Sequence, residues 1–163
     1  MAVKGKSILV IPDVHLKSFM LDQADKIIDE QNPDLIMFLG DYVDDFNSTQ
    51  QTYEDFSARF FKFLTKHKEK VKLCWGNHDI SYMIRKFVSG NKFYVYDTVM
   101  EICNLLEKNF DIKYIQKVDH LIFSHAGITD IEWRQQFLDT STQKSIDDYN
   151  ARKYSSHSHL WSD

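Results

Sequence analysis

The sequence predicts an α/β fold built around a largely parallel β-sheet. Three short runs of apolar residues are typical of buried strands. Between them lie two longer segments whose apolar residues recur every three or four positions, the spacing of an amphipathic helix. Strands that alternate with helices in this way favour a layered fold in which the strands run parallel. The predicted strands cover residues 7–12, 34–39 and 71–75, and the two helices cover residues 19–31 and 53–64.

Turn-forming residues mark the ends of these elements. Pro12 ends the first strand, and Asn32 with Pro33 stops the first helix. Gly40 closes the second strand and Gly76 closes the third. Because the whole chain has only 5 Gly residues, we expect such glycines to lie where the backbone turns tightly or approaches a ligand.

The pattern after the third strand is less regular. A short helix and a clearer one are followed by two adjoining strands, which we expect to form a hairpin, and then by a last helix. The helices are predicted over residues 80–88, 97–109 and 131–138, and the strands over residues 113–118 and 120–124, with the hairpin turning at residues 118–119.

Length and composition place the chain among single-domain proteins, with one domain over residues 1–163. The net charge of −4 disfavours a grip on nucleic acid through many phosphates, so a nucleic-acid partner is not expected. No apolar window is long enough for a membrane span, and a membrane partner is not expected either. Cys74 and Cys103 lie in apolar runs, which indicates buried free thiols in a reducing, cytoplasmic compartment.

Side chains that can bind metal follow four of the predicted strands. In parallel α/β folds the carboxyl ends of the strands meet at the crevice where ligands bind. Carboxylate, amide and imidazole groups together suit a divalent ion such as Mn²⁺, Fe²⁺ or Zn²⁺. If one carboxylate bridged two ions, a water or hydroxide held by both would be a strong nucleophile. The candidate ligands are Asp13, His15, Asp41, Asn77 and His125.

Taken one at a time, these motifs have plainer explanations. An Asp-x-His or a Gly-Asp after a strand is often only a turn or a helix cap, and a lone histidine is more often a buried structural residue. Gly127 follows His125 and resembles Gly40 and Gly76 in its placement. His67 lies in a charged stretch and is expected to be exposed, whereas His157 and His159 form an H-x-H pair that could bind metal. Four strand ends with ligand-type residues nevertheless favour a joint site.

These motifs resemble those of the calcineurin-like metallophosphoesterases, and in detail the serine/threonine phosphoprotein phosphatase branch. The resemblance rests on DVH at residues 13–15, GDYVDD from Gly40, GNHD from Gly76, SHAG from Ser124 and the final LWSD. It implies a layered α/β/β/α sandwich, incomplete at its C-terminal side. It also implies that Asp13, His15 and Asp41 hold a first ion, that Asp41, Asn77 and His125 hold a second, that His78 is the general acid and that Asp44 orients it.

The resemblance implies metal-dependent hydrolysis of a phosphomonoester, with a phosphorylated protein as the first substrate class and Mn²⁺ as the first choice of ion. Two features depart from the family pattern. Asp45 stands where the phosphatases have an arginine that contacts phosphate, a part that Arg85 could take over. The chain also stops at Asp163, before the histidine that completes the second metal site in the family, which indicates a fragment or a shortened form. In a shortened form, water, His157, His159 or a partner chain would supply that ligand.

Two alternatives remain open at this point. The first is a nucleotide or dinucleoside polyphosphate hydrolase with the same metal chemistry. The second is a truncated metal-binding module with impaired catalysis.

Overall fold

The protein is described by a computed structural model over residues 5–127, 147 and 151. Helices and strands alternate through most of this range, as the sequence predicts. The strands are β1 Ile8–Ile11, β2 Leu35–Phe38, β3 Val71–Cys74, β4 Ile112–Lys113, β5 Ile115–Val118 and β6 Leu121–Ser124. The α-helices are α1 Ser18–Gln31, α2 Gln50–Lys66, α3 Asn77–Met83 and α4 Tyr96–Asn109, with short 3₁₀ turns at Lys68–Lys70 and Phe93–Val95.

Four strands form one parallel sheet in the order β1-β2-β3-β4. Ile8 pairs with Leu35 at the start of β1 and β2, and the same register brings Ile11 opposite Phe38 at their ends. The carboxyl ends of β1, β2 and β3 therefore reach the same edge of the sheet. The loops that leave this edge carry the predicted site residues.

The two faces of the sheet are covered by different elements. Along β2, Ile36 and Phe38 belong to the large core under the helices, whereas Met37 belongs to a smaller core on the opposite face. Cys74 and Val118 share that smaller core, so the β5–β6 hairpin packs against the sheet there. The described residues thus form helix, sheet and hairpin layers, which confirms the predicted α/β fold.

Helix α2 has clear local reasons to form and to lie on the sheet. Thr49 caps its first turn, with its hydroxyl accepting a hydrogen bond from the backbone N–H of Thr52. Buried aromatic residues repeat along one face of the helix, among them Phe56 and Phe60. The ring of Phe60 meets the ring of Phe38 edge to face, with the ring centroids 5.5 Å apart. This contact fixes α2 over β2 and beside the loop that carries the polar motif GDYVDD.

Strand β1 is less buried than the sequence predicts. Val10 is 41% exposed, and only Ile11 of the four strand residues is buried. Within the described part of the chain β1 pairs with β2 alone and forms an edge of the sheet. An edge strand has one open side, so an apolar run does not by itself imply burial on both faces.

The predicted helix over residues 80–88 is wrong at both ends. Helix α3 begins at Asn77, inside the GNHD motif, and ends at Met83. The carboxylate of Asp79 accepts a hydrogen bond from the backbone N–H of Gly76 at 3.0 Å, which starts the helix early. Arg85 has a φ of 55°, in the left-handed region, and this conformation cannot continue the helix.

The single strand predicted over residues 113–118 is two strands in the structure. The short β4 extends the parallel sheet, with Ile112 beside Leu73, and the chain then enters the antiparallel pair of β5 and β6. Val118 pairs with Leu121, so the hairpin is confirmed and its turn lies one residue later than predicted. Asp119 in this turn has a φ of 53°.

Three other sequence expectations have mixed outcomes. Cys74 and Cys103 are free and buried, as predicted. His67 is not exposed: its side chain is 10% exposed, lies against the ring of Phe63 and contacts the carboxylate of Asp25 at 2.7 Å. The predicted helix over residues 131–138, the histidines at 157 and 159 and the final LWSD lie outside the described residues.

The described helices include none that is long and apolar enough to cross a membrane.

Candidate metal centre

The loops at the carboxyl edge of the sheet are joined by backbone hydrogen bonds. The carbonyl of Asp41, after β2, accepts the backbone N–H groups of Val14 and His15, after β1, at 3.0 and 2.8 Å. The next N–H, of Leu16, donates to the carbonyl of Tyr42 at 3.0 Å. The first two motifs therefore form one unit, in which Asp13, His15 and Asp41 have fixed relative positions.

The third motif is joined to the second through the buried carboxylate of Asp79. Its oxygens accept the backbone N–H groups of Asp41 and Tyr42, both at 2.9 Å, as well as that of Gly76. Burial and the charge of Asp41 raise the pKa of Asp79, while these backbone N–H groups act in the opposite direction. Asp79 thus holds GDYVDD and GNHD together, a role the sequence analysis did not assign to it.

Two of the three glycines highlighted by the sequence allow a close backbone approach. A Cβ atom on Gly40, whose φ is +109°, would lie 2.4 Å from the backbone nitrogen of Gly76. A Cβ atom on Gly76 would lie 2.1 Å from an oxygen of Asp41. A Cβ atom on Gly127 would have no neighbour within 4 Å, so the expectation of a turn or a ligand approach at this glycine stays a prediction.

Asp41 lies at the centre of the candidate site. Its Oδ2 atom is 3.7 Å from His15 Nε2 and 3.3 Å from His125 Nε2. Its Oδ1 atom accepts the backbone N–H of His78 at 2.9 Å. Asn77 reaches the same place, because its Oδ1 atom is 2.9 Å from His125 Nε2.

The two histidines nearest Asp41 are held with Nε2 directed at it. His15 Nδ1 lies 3.1 and 2.9 Å from the carbonyl oxygens of Val43 and Asp44, and His125 Nδ1 lies 3.1 Å from that of Leu39. A carbonyl only accepts, so Nδ1 carries the proton in both rings. In the neutral ring Nε2 then has a lone pair, and this is the form of imidazole that binds metal.

Two groups of side chains could each hold an ion, and Asp41 is common to both. One group is His15, Asp41 and His78, and the other is Asp13, Asp41 and His125. Within each group the ligand atoms lie within 4.8 Å of one another. The resemblance instead implies Asp13 with His15 on one ion and Asn77 with His125 on the other. Four of the five predicted ligands fall in these two groups, together with His78, and the fifth, Asn77, lies beside His125 Nε2.

The donor set fits divalent cations. His125 Nε2 faces oxygens of Asp41 and Asn77, and its Nδ1 already donates to the carbonyl of Leu39. Such an arrangement needs a proton or a cation between Nε2 and these oxygens. Burial raises the pKa of Asp41, but hydrogen bonding and the charges of His125 and His78 outweigh it and lower that pKa overall. The carboxylate therefore stays charged, as a metal ligand must.

His78 and Asp44 form a separate pair beside this centre. His78 Nδ1 lies 3.0 Å from Asp44 Oδ2, and the ring of His78 meets that of His15 edge to face at 5.0 Å. Burial acts to lower the pKa of His78, but the hydrogen bond to Asp44 and the charge of Asp41 raise it above its usual value. The imidazole can thus carry a proton while its orientation is fixed.

Three residues that the sequence analysis missed complete the surroundings of Asp44. The hydroxyls of Tyr53 and Tyr82 each donate to Asp44 Oδ1 at 2.6 Å, and the Asn91 amide donates to Oδ2 at 2.5 Å. Burial raises the pKa of both tyrosines, so their hydroxyls remain donors. With His78, four donors surround one buried carboxylate.

The loops that carry the site contain strained backbone. His15, Leu16, Asp41 and Asp44 have φ values of 43°, 60°, 52° and 71°, in the left-handed region that residues other than glycine seldom adopt. Each such residue costs about 1–3 kcal/mol, and such residues cluster at functional sites. Here the hydrogen bonds between the loops hold them in place.

Two residues bear on phosphate contact, Asp45 in place of the family's arginine and Arg85 as its candidate substitute, and both have other partners in the structure. Asp45 forms an ion pair with Lys17, and this hydrogen bond lowers the pKa of Asp45. Arg85 donates to the Tyr96 hydroxyl at 3.3 Å and lies over that ring, which directs its guanidinium to α4. Lys17 is therefore the cation that the structure places next to Asp45.

Comparison with known proteins gives one family match. The family described as calcineurin-like phosphoesterase matches residues 6–163, nearly the whole chain. No curated protein matches the chain. The family match covers all four motifs whose side chains meet around Asp41, and the parallel sheet with helices on one face agrees with it. The chain therefore belongs to the calcineurin-like phosphoesterase family.

Proposed function

We propose that this protein is a binuclear phosphomonoesterase that uses two divalent ions, with Mn²⁺ preferred over Fe²⁺ and Zn²⁺. The observation that carries the proposal is the convergence of ligand atoms from four separate loops on the single carboxylate of Asp41. Family membership supports metal-dependent phosphoester hydrolysis as the general reaction. We further propose that the enzyme acts in the cytoplasm, which the buried free thiols of Cys74 and Cys103 support.

Five residues would hold the ions, and Asp41 would bridge them. A carboxylate is suited to this place because it neutralises part of the repulsion between two neighbouring cations. Divalent ions at this site would supply Lewis acidity for the phosphoryl oxygens and would lower the pKa of the attacking water. The proposed ligands are Asp13, His15, Asp41, Asn77 and His125.

His78 would donate a proton to the leaving-group oxygen. Its Nδ1 atom is engaged by Asp44, so Nε2 is the atom that faces substrate. Its neighbour Asn77 turns toward His125 in the metal centre, so the two residues of one motif divide between metal binding and acid catalysis. Asp44 would fix the ring and stabilise its charge, as the orienting carboxylate does in other acid–base pairs.

The surroundings of Asp45 affect which class of substrate we propose. The phosphatase branch that the sequence resembles has an arginine at this position, and a guanidinium grips phosphate with two parallel hydrogen bonds. Here the position carries an acid paired with Lys17. We therefore propose phosphomonoester hydrolysis in general, with a phosphorylated protein or a nucleotide as the two substrate classes to compare.

The proposal is tested by assaying p-nitrophenyl phosphate hydrolysis after metal has been removed and Mn²⁺ returned. We expect activity only with added metal, and none in Asp41→Asn. Asp22→Asn is the matched control, because Asp22 also carries a negative charge but pairs with Arg59 on the outside of the helices. Activity that survives chelation, or that Asp41→Asn retains, would contradict the binuclear mechanism.

The same experiment separates an enzyme from an impaired metal-binding module. If the protein binds Mn²⁺ by isothermal titration calorimetry but hydrolyses no phosphomonoester, the module is the correct interpretation. Turnover that requires both Mn²⁺ and Asp41 supports the phosphoesterase.

A further inference from the structure

Three aromatic side chains near the candidate site are strongly exposed. Phe46 is 77% exposed, Phe93 is 74% exposed and Tyr94 is 62% exposed. Most large apolar residues of the described chain are buried, so exposed aromatic rings on two neighbouring segments call for an explanation. Single exposed rings are common, and what matters here is how these segments are held and what lies beside them.

One lysine links the segment around Phe46 to the segment that carries Phe93 and Tyr94. The Lys92 ammonium donates to the carbonyl oxygens of Asp45, Phe46 and Ser48 at 2.7, 3.0 and 2.9 Å, and to the Ser48 hydroxyl at 2.7 Å. The Tyr94 hydroxyl donates to the Ser48 carbonyl at 2.8 Å. The backbone that carries the three rings is therefore fixed, although the rings themselves face solvent.

The Phe93 ring has an additional support. Its centroid lies 4.3 Å from that of Phe87, which is itself packed against the main core. A ring held in this way loses little conformational freedom when it binds a ligand.

The same segments contact the proposed acid pair. Phe46 lies two residues after Asp44, and Phe93 lies two residues after Asn91, whose amide donates to Asp44 Oδ2. Gly90, earlier in that segment, lies beside the His78 ring: a Cβ atom there would be 3.6 Å from His78 Cε1. The segments that carry the exposed rings thus border the side of the site where His78 would protonate the leaving group.

We propose that Phe46, Phe93 and Tyr94 form an aromatic rim that binds a planar ring carried by the leaving group of the phosphomonoester. This inference rests on the proposed function and gives it a substrate preference. Stacking on a preformed aromatic surface is favourable for any planar ring and does not need specific hydrogen bonds. A phenol bonded directly to phosphate and a nucleobase joined to phosphate through a ribose both offer such a planar ring.

The test compares substrates with and without the ring. The ratio of kcat/KM for adenosine monophosphate to that for ribose 5-phosphate measures the gain from a nucleobase, and the ratio for phenyl phosphate to ethyl phosphate measures the gain from a phenol. We expect Phe46→Ala and Phe93→Ala to lower one of these ratios by about 5- to 150-fold, the range that stacking energies imply. The ratio that falls identifies the source of the ring.

Two further variants act as controls. Phe19→Ala removes a phenylalanine that is 61% exposed on α1, and it should leave both ratios unchanged. Phe46→Tyr keeps a ring and should retain most of the parent selectivity, whereas Phe46→Leu should not. If both ratios stay the same in Phe46→Ala and Phe93→Ala, the rim does not bind the leaving group and the inference is wrong.

A binding measurement separates failure of the rim from failure of the proposed function. Saturation-transfer NMR on the metal-free protein should show transfer to the adenine protons of adenosine monophosphate, with loss of the signal in Phe46→Ala. If the parent hydrolyses none of the four substrates but shows this signal, the proposed function falls while the rim is supported. A signal that persists unchanged in both alanine variants overturns the rim.

Discussion

Asp41 and Asp44 are two buried carboxylates three residues apart in one loop, and their surroundings differ. The protein supplies Asp44 with four donors: two tyrosine hydroxyls, an amide and an imidazole. Asp41 receives one backbone N–H at Oδ1, while its Oδ2 faces the Nε2 atoms of His15 and His125. Both carboxylates are nearly inaccessible to water.

We propose that this difference separates a carboxylate used for support, Asp44, from one used as a metal ligand, Asp41. A buried charge is stable only when it is paired or hydrogen-bonded. The protein alone meets that need at Asp44, whereas Oδ2 of Asp41 faces two imidazole rings, and we propose that cations bind there. The number of protein donors around each carboxylate thus predicts its role better than the sequence motif, which presents both as part of GDYVDD.

The largest effect should come from Asp41→Asn. The change removes the charge that we propose bridges the two ions, so we expect loss of metal and a fall in kcat/KM of at least roughly 10⁴-fold, because the ions would supply the nucleophile and the charge stabilisation together. Metal content after dialysis, measured by mass spectrometry, is the direct test. Asp44→Asn provides the comparison, since it should retain metal. Equal metal loss in both variants would show that the two carboxylates do not differ in their importance for metal binding.

His78→Asn should lower the rate next most strongly. Without a general acid, turnover of alkyl phosphates should fall by about 10²- to 10⁴-fold, while turnover of p-nitrophenyl phosphate, whose leaving group needs little protonation, should fall far less. Steady-state kinetics on both substrates at saturating Mn²⁺ give the comparison. A variant as fast as the parent on alkyl phosphates would show that His78 is not the acid.

Tyr53→Phe tests the support of Asp44 directly. The variant removes one of two hydroxyl donors from a buried, charged oxygen, and we expect the free energy of unfolding to fall by about 1.5–3 kcal/mol, the range for hydrogen bonds to charged groups. Urea denaturation followed by circular dichroism measures it. Tyr96→Phe is the matched control, because it loses only an exposed hydrogen bond with Arg85. Equal losses in the two variants would show that the Asp44 contact has no special weight.

The smallest effect should come from a carboxylate outside the site. Burial raises the pKa of Asp25, but hydrogen bonds from Lys66 and His67 lower it below the ordinary value of 3.8. The carboxylate of Asp25 therefore binds a proton less tightly in the folded state than in the unfolded chain. Its stabilising contribution is present above pH 3.8 and is lost as the pH falls through the lower, folded-state pKa.

In Asp25→Asn we expect a slightly less stable protein at neutral pH whose stability depends less on pH in this acid range. Urea midpoints measured at several pH values, with metal absent, would show it. If Asp25→Asn and the parent show the same dependence of stability on pH, Asp25 makes no contribution in this range.

Much of the fold follows from the sequence because the apolar runs are short and their ends are marked. Gly40 and Gly76 stand where two loops touch, and no other residue fits at that distance. The early start of α3 was missed because its first turn is polar, and hydrophobic periodicity detects only the buried face of a helix. The break between β4 and β5 was missed because no glycine, proline or other turn residue stands between Lys113 and Ile115.

For the candidate site too, one part could be predicted from the sequence and another could not. The convergence of side chains on one sheet edge was predictable, because the carboxyl ends of parallel strands always share an edge. The donors to Asp44 were not, because Tyr53 occupies a core-facing position of α2 and has the pattern of any buried aromatic residue. Only the position of its hydroxyl distinguishes it, and that depends on tertiary packing.

The four donors around Asp44 come from α2, from α3 and from the segment that follows α3. Local opening of any one of these segments would leave a charged group in a dry interior with fewer partners, so opening of one segment is coupled to the other two. Amide protons in these three segments should accordingly show similar protection from exchange with solvent.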